Sequence, residues 1–210
     1  MNVQEATTRR LPDLKGRYLP ENCRETINTI LKETYGYEQF RNLEIYDDLS
    51  KGKEKLCISQ GQLIENVILE AEKAWKGETQ VDNILLTAPT GSGKSLLFQL
   101  PAIYLGKEYN LLTIVVSPLK ALIVDQVESL QELGYMRVAY ASSDLSPEQK
   151  MEVYRQVREG EIDLFYLSPE LLLSYDIKHF VGERRIGLVV VDEAHTVTTW
   201  GKEFRVDYWF

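Results

Sequence analysis

A lysine and a serine that follow two closely spaced glycines carry the most specific chemistry in this sequence. Segment 90–95 reads Thr-Gly-Ser-Gly-Lys-Ser and lies between an apolar run, 83–88, and a helical stretch, 95–105. Backbone N–H groups in a glycine-rich turn at the start of a helix point toward phosphate oxygens. The lysine ammonium supplies charge to the β- and γ-phosphates, and the serine hydroxyl can ligate Mg²⁺. The alternative is a surface loop that contains these residues by chance. The pattern predicts a nucleoside triphosphate site formed by Thr90, Gly91, Ser92, Gly93, Lys94 and Ser95.

Two adjacent carboxylates end another apolar run, 187–191. A carboxylate at the tip of a strand beside a phosphate loop can give a phosphate-bound Mg²⁺ its second anchor, and Asp192 fits that role through a water molecule. Glu193 is suited to orienting and activating the attacking water, and His195 to sensing the γ-phosphate. An Asp-Glu pair alone is more often a solvated strand end, but the phosphate loop favours the catalytic interpretation. We expect Lys94, Asp192, Glu193 and His195 to be catalytic, and Ser95 and Asp192 to hold Mg²⁺.

Short β-branched runs alternate with helical stretches from residue 83 onward. Near-continuous apolar strands separated by helices are typical of a parallel sheet that is covered on both faces. Gly134 is suited to end one of these helices, and Ser146, with Pro147 and Gln149 behind it, to begin another. We predict an α/β domain over 81–210, with strands at 83–88, 111–117, 137–142, 163–168 and 187–193.

Residues 1–80 have a different pattern. Apolar residues at helical spacing predict an amphipathic helix at 20–35, ended by Gly36, and a second helix at 61–75. A polar stretch, 42–56, separates them. We expect 1–80 to be a helical extension with a polar insertion, and 1–18 to be a partly disordered tail.

Composition excludes several classes of protein. The 210 residues carry a formal charge of −8, which argues against coating nucleic acid through bulk charge but allows a local groove. Two distant cysteines and two histidines without metal-ligand spacing indicate neither a disulfide framework nor a zinc module. No apolar run approaches the roughly 20 residues of a membrane span. We therefore expect no membrane partner and a cytoplasmic location, associated with the nucleoid if the source is bacterial.

The phosphate loop and the acidic motif together resemble those of superfamily 2 helicases of the DEAH type. Segments 88–95 (Ala-Pro-Thr-Gly-Ser-Gly-Lys-Ser) and 192–195 (Asp-Glu-Ala-His) carry this likeness. Segments 117–127, 166–170 and 200–205 resemble motif Ia, motif Ic and the aromatic-rich loop of the RecQ-like group. The resemblance spans about 35–208 and implies a RecA-like P-loop NTPase fold, with helices on both faces of the sheet. It also implies DNA contacts from Ser117, Pro118, Lys120, Gln126, Ser142, Ser143, Ser168, Pro169, Glu170, Trp200, Phe204 and Arg205.

The aromatic segment after the acidic motif supports this interpretation on physical grounds. Trp200 and Phe204 lie in a polar, glycine-containing stretch rather than in an apolar strand. Aromatic rings so placed can stack on bases, which contributes about 1–3 kcal/mol per base, and Arg205 can contact phosphate. The alternative is an aromatic cluster that packs beneath a loop or against another domain. Lys202 stands where the family often has histidine, which keeps a positive charge without a titratable ring.

An adenine site is implied upstream. Segment 37–41 (Tyr-Glu-Gln-Phe-Arg) resembles the family's adenine motif, in which an aromatic ring and an arginine enclose the base. A glutamine that reads the adenine edge normally follows within a few residues, but here the polar stretch intervenes. Matching helix 63–70 to the family pattern favours Gln60 for that role, with Gln62 second. We expect Tyr37, Arg41 and Gln60 at the adenine, with packing of Tyr37 on the preceding helix as the alternative.

The resemblance implies the first motor domain of an ATP-dependent DNA helicase. Such a domain uses ATP and Mg²⁺ and moves 3′ to 5′ on single-stranded or partly duplex DNA. Catalysis in this class needs a second RecA-like domain, which we expect in a longer parent chain or in a partner chain. The alternatives are a duplex translocase that does not separate strands, a nucleotide-gated DNA-binding subunit, and a P-loop kinase or switch protein. The last class has no need for segment 117–127 or for the loop at Trp200.

Overall fold

The computed structural model describes residues 20, 22–46, 55–86 and 91–194. The chain divides into two compact units, Met1–Pro101 and Ala102–Phe210, and the boundary falls inside a helix. In the first unit, the described elements are Glu25–Tyr35 (α1), Asn42–Tyr46 (β1), Lys55–Ser59 (β2), Gln60–Trp75 (α2) and the start of Leu96–Tyr109 (α3). The end of α3 belongs to the second unit.

Helix α1 confirms the predicted amphipathic helix, although it begins later than residue 20. Ile27, Ile30 and Leu31 share one face and are buried, as their spacing predicts. The helix ends at Gly36, whose φ of 70° is the left-handed conformation that glycine adopts without strain. Arg24 precedes the first turn in an extended conformation, and its guanidinium binds Glu65 at 2.6 Å and a second α2 carboxylate at 2.7 Å. These ion pairs hold the start of α1 against α2.

The polar stretch between the two helices forms a β-hairpin, which we did not predict. Strands β1 and β2 pair in antiparallel register, with Asn42 opposite Ser59. Alternation of apolar and polar residues in Asn-Leu-Glu-Ile-Tyr and Lys-Leu-Cys-Ile-Ser is the strand signal that the high polar content concealed. The hairpin brings the two ends of the insertion side by side.

In the second unit, a parallel sheet alternates with helices, as predicted. Among the described residues, its strands have the order β4-β5-β3-β6, and every neighbouring pair is parallel. The element bounds are Leu112–Val116 (β3), Lys120–Glu132 (α4), Val138–Ala141 (β4), Pro147–Arg158 (α5), Leu164–Leu167 (β5), Pro169–Ser174 (α6), Ile177–Val181 (α7) and Ile186–Val191 (β6). The expected helix signals are confirmed at both sites. Gly134 follows α4 with φ of 86°, and Ser146 and Gln149 form a capping box at the start of α5.

The prediction of a strand at 83–88 is wrong for residues 83–86, which are the part that the structure describes. Residues 83–86 have no strand pairing, and residues 87 and 88 lie outside the described residues. Leu85 is 72% exposed. An apolar run predicts which residues suit a strand, but the strand exists only where a neighbouring strand supplies the hydrogen bonds.

Helices cover both faces of the sheet. On one face, apolar side chains of the strands pack with those of α5, α6 and α7 in a single cluster. The buried members of this cluster are Leu112, Ile114, Val116, Ala139, Ala141, Tyr154, Val157, Ile162, Phe165, Leu167, Leu171, Phe180 and Val181. Strand residues of opposite parity point to the other face. There α4 buries Ile123, Val127 and Leu130, and the Tyr166 hydroxyl of β5 donates to Gln126 of α4 at 2.9 Å. The α/β class with two covered faces is confirmed.

A fully buried carboxylate anchors the start of β5. Asp163 accepts from the Tyr135 hydroxyl at 3.1 Å, from Arg137 Nε at 2.6 Å and from Arg184 at 3.0 Å. Its side chain packs against Gly106 of α3 so closely that a Cβ on that glycine would lie 2.3 Å from Asp163 Cγ. The two arginines compensate the cost of burying the charge.

Candidate nucleotide and nucleic-acid sites

The phosphate loop leads directly into α3. Gly91 and Gly93 both have φ of 80°, a left-handed conformation that a side chain would strain. Backbone bonds from Leu96 N–H to Gly93 O at 3.2 Å and from Gln99 N–H to Ser95 O at 2.9 Å carry the loop into the helix. This turn-to-helix geometry is the one that presents backbone N–H groups to phosphate. Thr90 lies outside the described residues.

One polar atom of the loop fits an anionic ligand. The Ser92 hydroxyl oxygen is buried and has no hydrogen-bond partner within the described part of the chain. A buried hydroxyl without a partner is costly, and a phosphate oxygen would satisfy it. The loop residues therefore suit a nucleotide phosphate.

Gln60 lies beside the phosphate loop in the structure. Its Nε2 donates to the carbonyl of Ser92 at 3.1 Å and to that of Gly93 at 3.5 Å. A Cβ on Gly93 would lie 2.7 Å from this nitrogen, so the glycine is needed both for its φ angle and for this approach. Sequence reasoning recognised Gly93 for the phosphate but missed its contact with Gln60, because nothing local relates residue 60 to residue 93.

The hairpin joins Gln60 to Arg41 across the insertion. Arg41 N–H donates to Gln60 Oε1 at 3.2 Å, and Gln60 N–H donates to Arg41 O at 2.9 Å. These bonds continue the pairing that begins with Asn42 opposite Ser59. The segment 42–59 therefore leaves the arginine and the glutamine adjacent, as they would be in an uninterrupted motif.

Gln62, the second candidate for the adenine edge, has a structural role. Its Oε1 accepts from Ser59 N–H at 3.1 Å in the capping box that begins α2, and its Nε2 donates to Pro20 O at 3.1 Å. Both ends of its amide are occupied by backbone groups. The amide of Gln60 also bonds backbone groups at both ends, and the two glutamines differ in that Gln60 contacts the phosphate loop whereas Gln62 caps α2.

Tyr37 and Arg41 are accessible on the same unit. Tyr37 is 50% exposed, and its ring stacks on that of Tyr35 with centroids 6.4 Å apart. Phe40, between them in sequence, packs onto Gly61, where a Cβ would lie 2.7 Å from its ring. Tyr37 thus contacts the preceding helix, as the alternative interpretation expected, and still presents half of its surface to a ligand.

The acidic motif follows β6 directly. Asp192 N–H donates to Val116 O at 2.9 Å, and Asp192 Oδ1 accepts from Glu193 N–H at 2.9 Å. Glu193 has φ of 50°, a left-handed conformation that costs energy for a residue with a side chain. Such strain is concentrated at functional positions. His195 lies outside the described residues.

Three of the predicted DNA-binding serines follow β3, β4 and β5 directly. Ser117, Ser142 and Ser168 occupy the position after the last strand residue, as Asp192 does after β6. All three serines are buried, and Ser142 and Ser168 accept local backbone N–H bonds at 3.3 and 3.4 Å. Ligands of open α/β sheets bind at this carboxyl edge. The three serines are thus at the edge where a ligand is expected, with little of their surface exposed.

The other predicted DNA-binding residues differ in accessibility. Lys120, Ser143 and Glu170 are exposed, whereas Pro118 and Pro169 are half-buried. Gln126 is half-buried beneath the Tyr166 hydroxyl. Trp200, Phe204 and Arg205 lie outside the described residues. The role of each residue in DNA binding stays a prediction.

A family model described as DEAD/DEAH box helicase matches residues 62–209. The chain belongs to the DEAD/DEAH box helicase family. Membership in this family implies nucleotide binding, in agreement with the geometry of the phosphate loop. In the part of this helicase chain that the structure describes, no helix is long and apolar enough to cross a membrane.

Relatives of this helicase chain include RecQ proteins. The ATP-dependent DNA helicase RecQ of Synechocystis sp. is 33% identical over 88% of the chain, and the match covers 32% of that protein. The protein of the same name from Bacillus subtilis is 32% identical over 86% of the chain, with 25% of that protein covered. The chain spans about a quarter to a third of the length of the bacterial RecQ relatives from Haemophilus influenzae, Synechocystis sp. and Bacillus subtilis.

A solved helicase structure has the same fold. The crystal structure of the DUF1998 helicase MrfA bound to DNA and AMPPNP matches with a TM-score of 0.50 and 23% sequence identity. The match covers 86% of this chain and 22% of that one. At this identity the similarity supports the fold alone.

Proposed function

We propose that this chain is the first motor domain of a RecQ-type DNA helicase, which hydrolyses ATP as it moves 3′ to 5′ on single-stranded DNA. One observation carries the nucleotide half of this proposal. Gln60 is held between Arg41 and the carbonyls of the phosphate loop, at 3.2 Å from the arginine N–H and 3.1 Å from Ser92 O. An adenine-reading glutamine beside a phosphate loop suits ATP rather than phosphate alone.

The phosphate-loop residues divide the work of binding the nucleotide. Gly91 and Gly93 allow the backbone to approach the phosphates, and Lys94 neutralises the β- and γ-phosphate charge. The Ser92 hydroxyl, buried without a partner among the described residues, donates to a phosphate oxygen. Tyr37 and Arg41 enclose the adenine ring.

The acidic motif supplies the remaining groups. Ser95 and Asp192 are the ligands that suit Mg²⁺, which when bound neutralises developing phosphate charge. Glu193 orients and activates the attacking water, and its strained backbone is in keeping with a functional position. His195 relays the state of the γ-phosphate.

DNA binds, in this proposal, along the carboxyl edge of the sheet. Exposed Lys120 and Ser143 contact the sugar-phosphate backbone of DNA there. Beyond the acidic motif in sequence, Trp200 and Phe204 stack on bases and Arg205 binds phosphate. The RecQ relatives of this chain are ATP-dependent DNA helicases by name, which supports DNA as the partner. A second RecA-like domain completes the motor. The protein then acts in the compartment that holds DNA.

Calorimetry of Mg²⁺-ATP binding tests the nucleotide site. Lys94→Ala should weaken binding roughly 10- to 150-fold, because one charged hydrogen bond contributes about 1.5–3 kcal/mol. Lys107→Ala is the matched control, since Lys107 is exposed in the last turn of α3, and it should bind as the parent does. Equal affinity of the Lys94 variant and the parent chain would show that the phosphate-loop assignment is wrong.

Strand displacement separates a helicase from the duplex translocase that we do not favour. A full-length parent protein that shows DNA-stimulated ATP hydrolysis without strand displacement would support the translocase. In the same protein, Glu193→Gln should bind ATP and fail to hydrolyse it. Normal turnover by that variant would contradict the role of Glu193.

A further inference from the structure

A surface cavity of about 480 Å³ lies at the carboxyl end of β4, beside the starts of α4 and α5. Its wall includes Tyr140 and Val124, and its rim includes Lys120 and Asp144. The sheet edge, where open α/β proteins bind ligands, runs along this cavity. The rim has an arrangement of charges that the proposed function does not by itself explain.

One ammonium group and one hydroxyl donate to the carboxylate of Asp144, and a second ammonium group bonds the neighbouring residue. Lys120 Nζ donates to Asp144 Oδ1 at 3.0 Å and also to the Ser143 hydroxyl. The Ser143 hydroxyl in turn donates to Asp144 Oδ1 at 3.2 Å. Lys150 Nζ donates to the Ser143 carbonyl at 3.3 Å, which brings a second positive charge close to the same carboxylate. Lys120 and Ser143 therefore share one anionic oxygen as acceptor, and Lys150 adds a positive charge beside them.

A phosphodiester oxygen has the same requirements as this carboxylate oxygen. Both are anionic acceptors that take charge-assisted bonds from lysine and a bond from a hydroxyl. We propose that Lys120, Ser143 and Lys150 form a binding site for a backbone phosphate of the DNA strand, and that Asp144 occupies this site until DNA displaces it. This inference rests on the proposed function, in which DNA is the partner. It assigns roles to two further residues, Lys150 and Asp144.

The exposure of the pair makes displacement feasible. The side chains of Lys120 and Asp144 are 44% and 70% exposed. Exposed ion pairs of this kind are weak and screened by salt. The hydrogen bond from Lys120 lowers the pKa of Asp144, so the pair favours the charged carboxylate that competes as an anion. An ion pair of this strength between Lys120 and Asp144 lowers the affinity for DNA in this proposal without preventing DNA from binding.

The test measures binding of a fluorescent single-stranded oligothymidylate to the 210-residue chain by anisotropy, at several salt concentrations. Asp144→Asn should tighten binding about two- to five-fold, the equilibrium effect of one exposed ion pair. Its affinity should also depend more steeply on salt, by about 0.7 in the log–log slope, because one more phosphate is neutralised without a competing carboxylate. Lys150→Ala should weaken binding.

Glu148→Gln is the matched control. Glu148 is an exposed carboxylate in the first turn of α5, and it accepts from the Ser146 hydroxyl at 2.8 Å. The Glu148→Gln substitution removes one negative charge from the same region and leaves the proposed site intact. The affinity for the oligonucleotide should therefore stay within error of the parent value. A thermal melt of each variant shows whether it is folded.

The outcomes distinguish this inference from the proposed function. If Lys120→Ala weakens binding while Asp144→Asn leaves it unchanged or weakens it, DNA binding is upheld and the competition by Asp144 is refuted. An equal gain from Glu148→Gln would refute it as well, since general charge would then explain the effect. If the parent chain binds the oligonucleotide no better than Lys120→Ala does, the proposed DNA contact fails, and this inference fails with it.

Discussion

Replacing Gln60 by alanine tests the link between the adenine motif and the phosphate loop. Gln60 is 2% exposed, and its amide spans from Arg41 N–H, at 3.2 Å, to Ser92 O, at 3.1 Å. An amide carries the donor and the acceptor that the edge of adenine requires, so we expect Gln60 to exchange these backbone bonds for bonds to the base when it reads adenine. The variant removes both groups and keeps the backbone bond between Gln60 and Arg41.

The expected loss follows from the number of hydrogen bonds. Two bonds to the base, each contributing about 0.5–1.5 kcal/mol net, amount to about 1–3 kcal/mol. A factor of ten in Kd corresponds to about 1.4 kcal/mol, so ADP binding should weaken roughly 5- to 150-fold. Guanine presents a different donor and acceptor pattern, and GDP binding should therefore change less. The ratio of GDP to ADP dissociation constants should fall toward one.

Gln62→Ala is the matched control in the same helix turn. It removes half of the capping box of α2 and the bond to Pro20. Loss of a cap costs about 0.5–2 kcal/mol of stability, so its melting temperature should fall while the GDP-to-ADP ratio stays at the parent value. Fluorescent ADP and GDP analogues, titrated alongside a thermal melt of each variant, give both quantities.

One pattern of results would refute the assignment. If Gln60→Ala keeps the parent ratio and Gln62→Ala loses it, Gln62 reads the base, and the hairpin does not restore the motif. A fall in melting temperature for Gln60→Ala with the ratio intact would give Gln60 a purely structural role.

Two further predictions concern the folded core and the thiols. Gly106→Ala should lower the free energy of unfolding by about 1–3 kcal/mol through overpacking, because its Cβ would lie 2.3 Å from Asp163 Cγ; an unchanged denaturation midpoint would contradict this packing. Burial, together with the nearby Glu65 carboxylate, raises the pKa of Cys23 to about 12, whereas Cys57 is exposed. A disulfide reagent at pH 8 should therefore modify Cys57 rapidly and Cys23 far more slowly, since about 10⁻⁴ of a thiol with that pKa is thiolate. Fast modification of Cys23 in the Cys57→Ser chain would refute this prediction.

Helix ends and the alternation of strands with helices were readable from the sequence. Gly36 and Gly134 end their helices, and Ser146 with Gln149 begins α5. Each of these signals depends on residues within about four positions of one another, so tertiary contacts have little opportunity to override it. The phosphate loop was recognisable for the same reason, because its glycines, lysine and serine are consecutive.

Features that depend on distant partners were not readable. The run 83–86 has the composition of a strand and forms none among the described residues, because composition does not supply a hydrogen-bonded neighbour. The hairpin β1–β2 was hidden by its polar residues. Burial of Asp163 depends on arginines at 137 and 184, which no local pattern connects with it.

The sequence by itself determined the kind of chemistry: a phosphate loop, an acidic motif and an α/β scaffold, each written in short contiguous segments. Only the tertiary structure decided which glutamine lies at the loop. The antiparallel register of the hairpin sets Gln60 against Arg41 and Gly93, and the capping box of α2 occupies Gln62. Both glutamines suit the role by type and spacing, and the difference between them lies in contacts across some 30 residues that only a folded backbone creates.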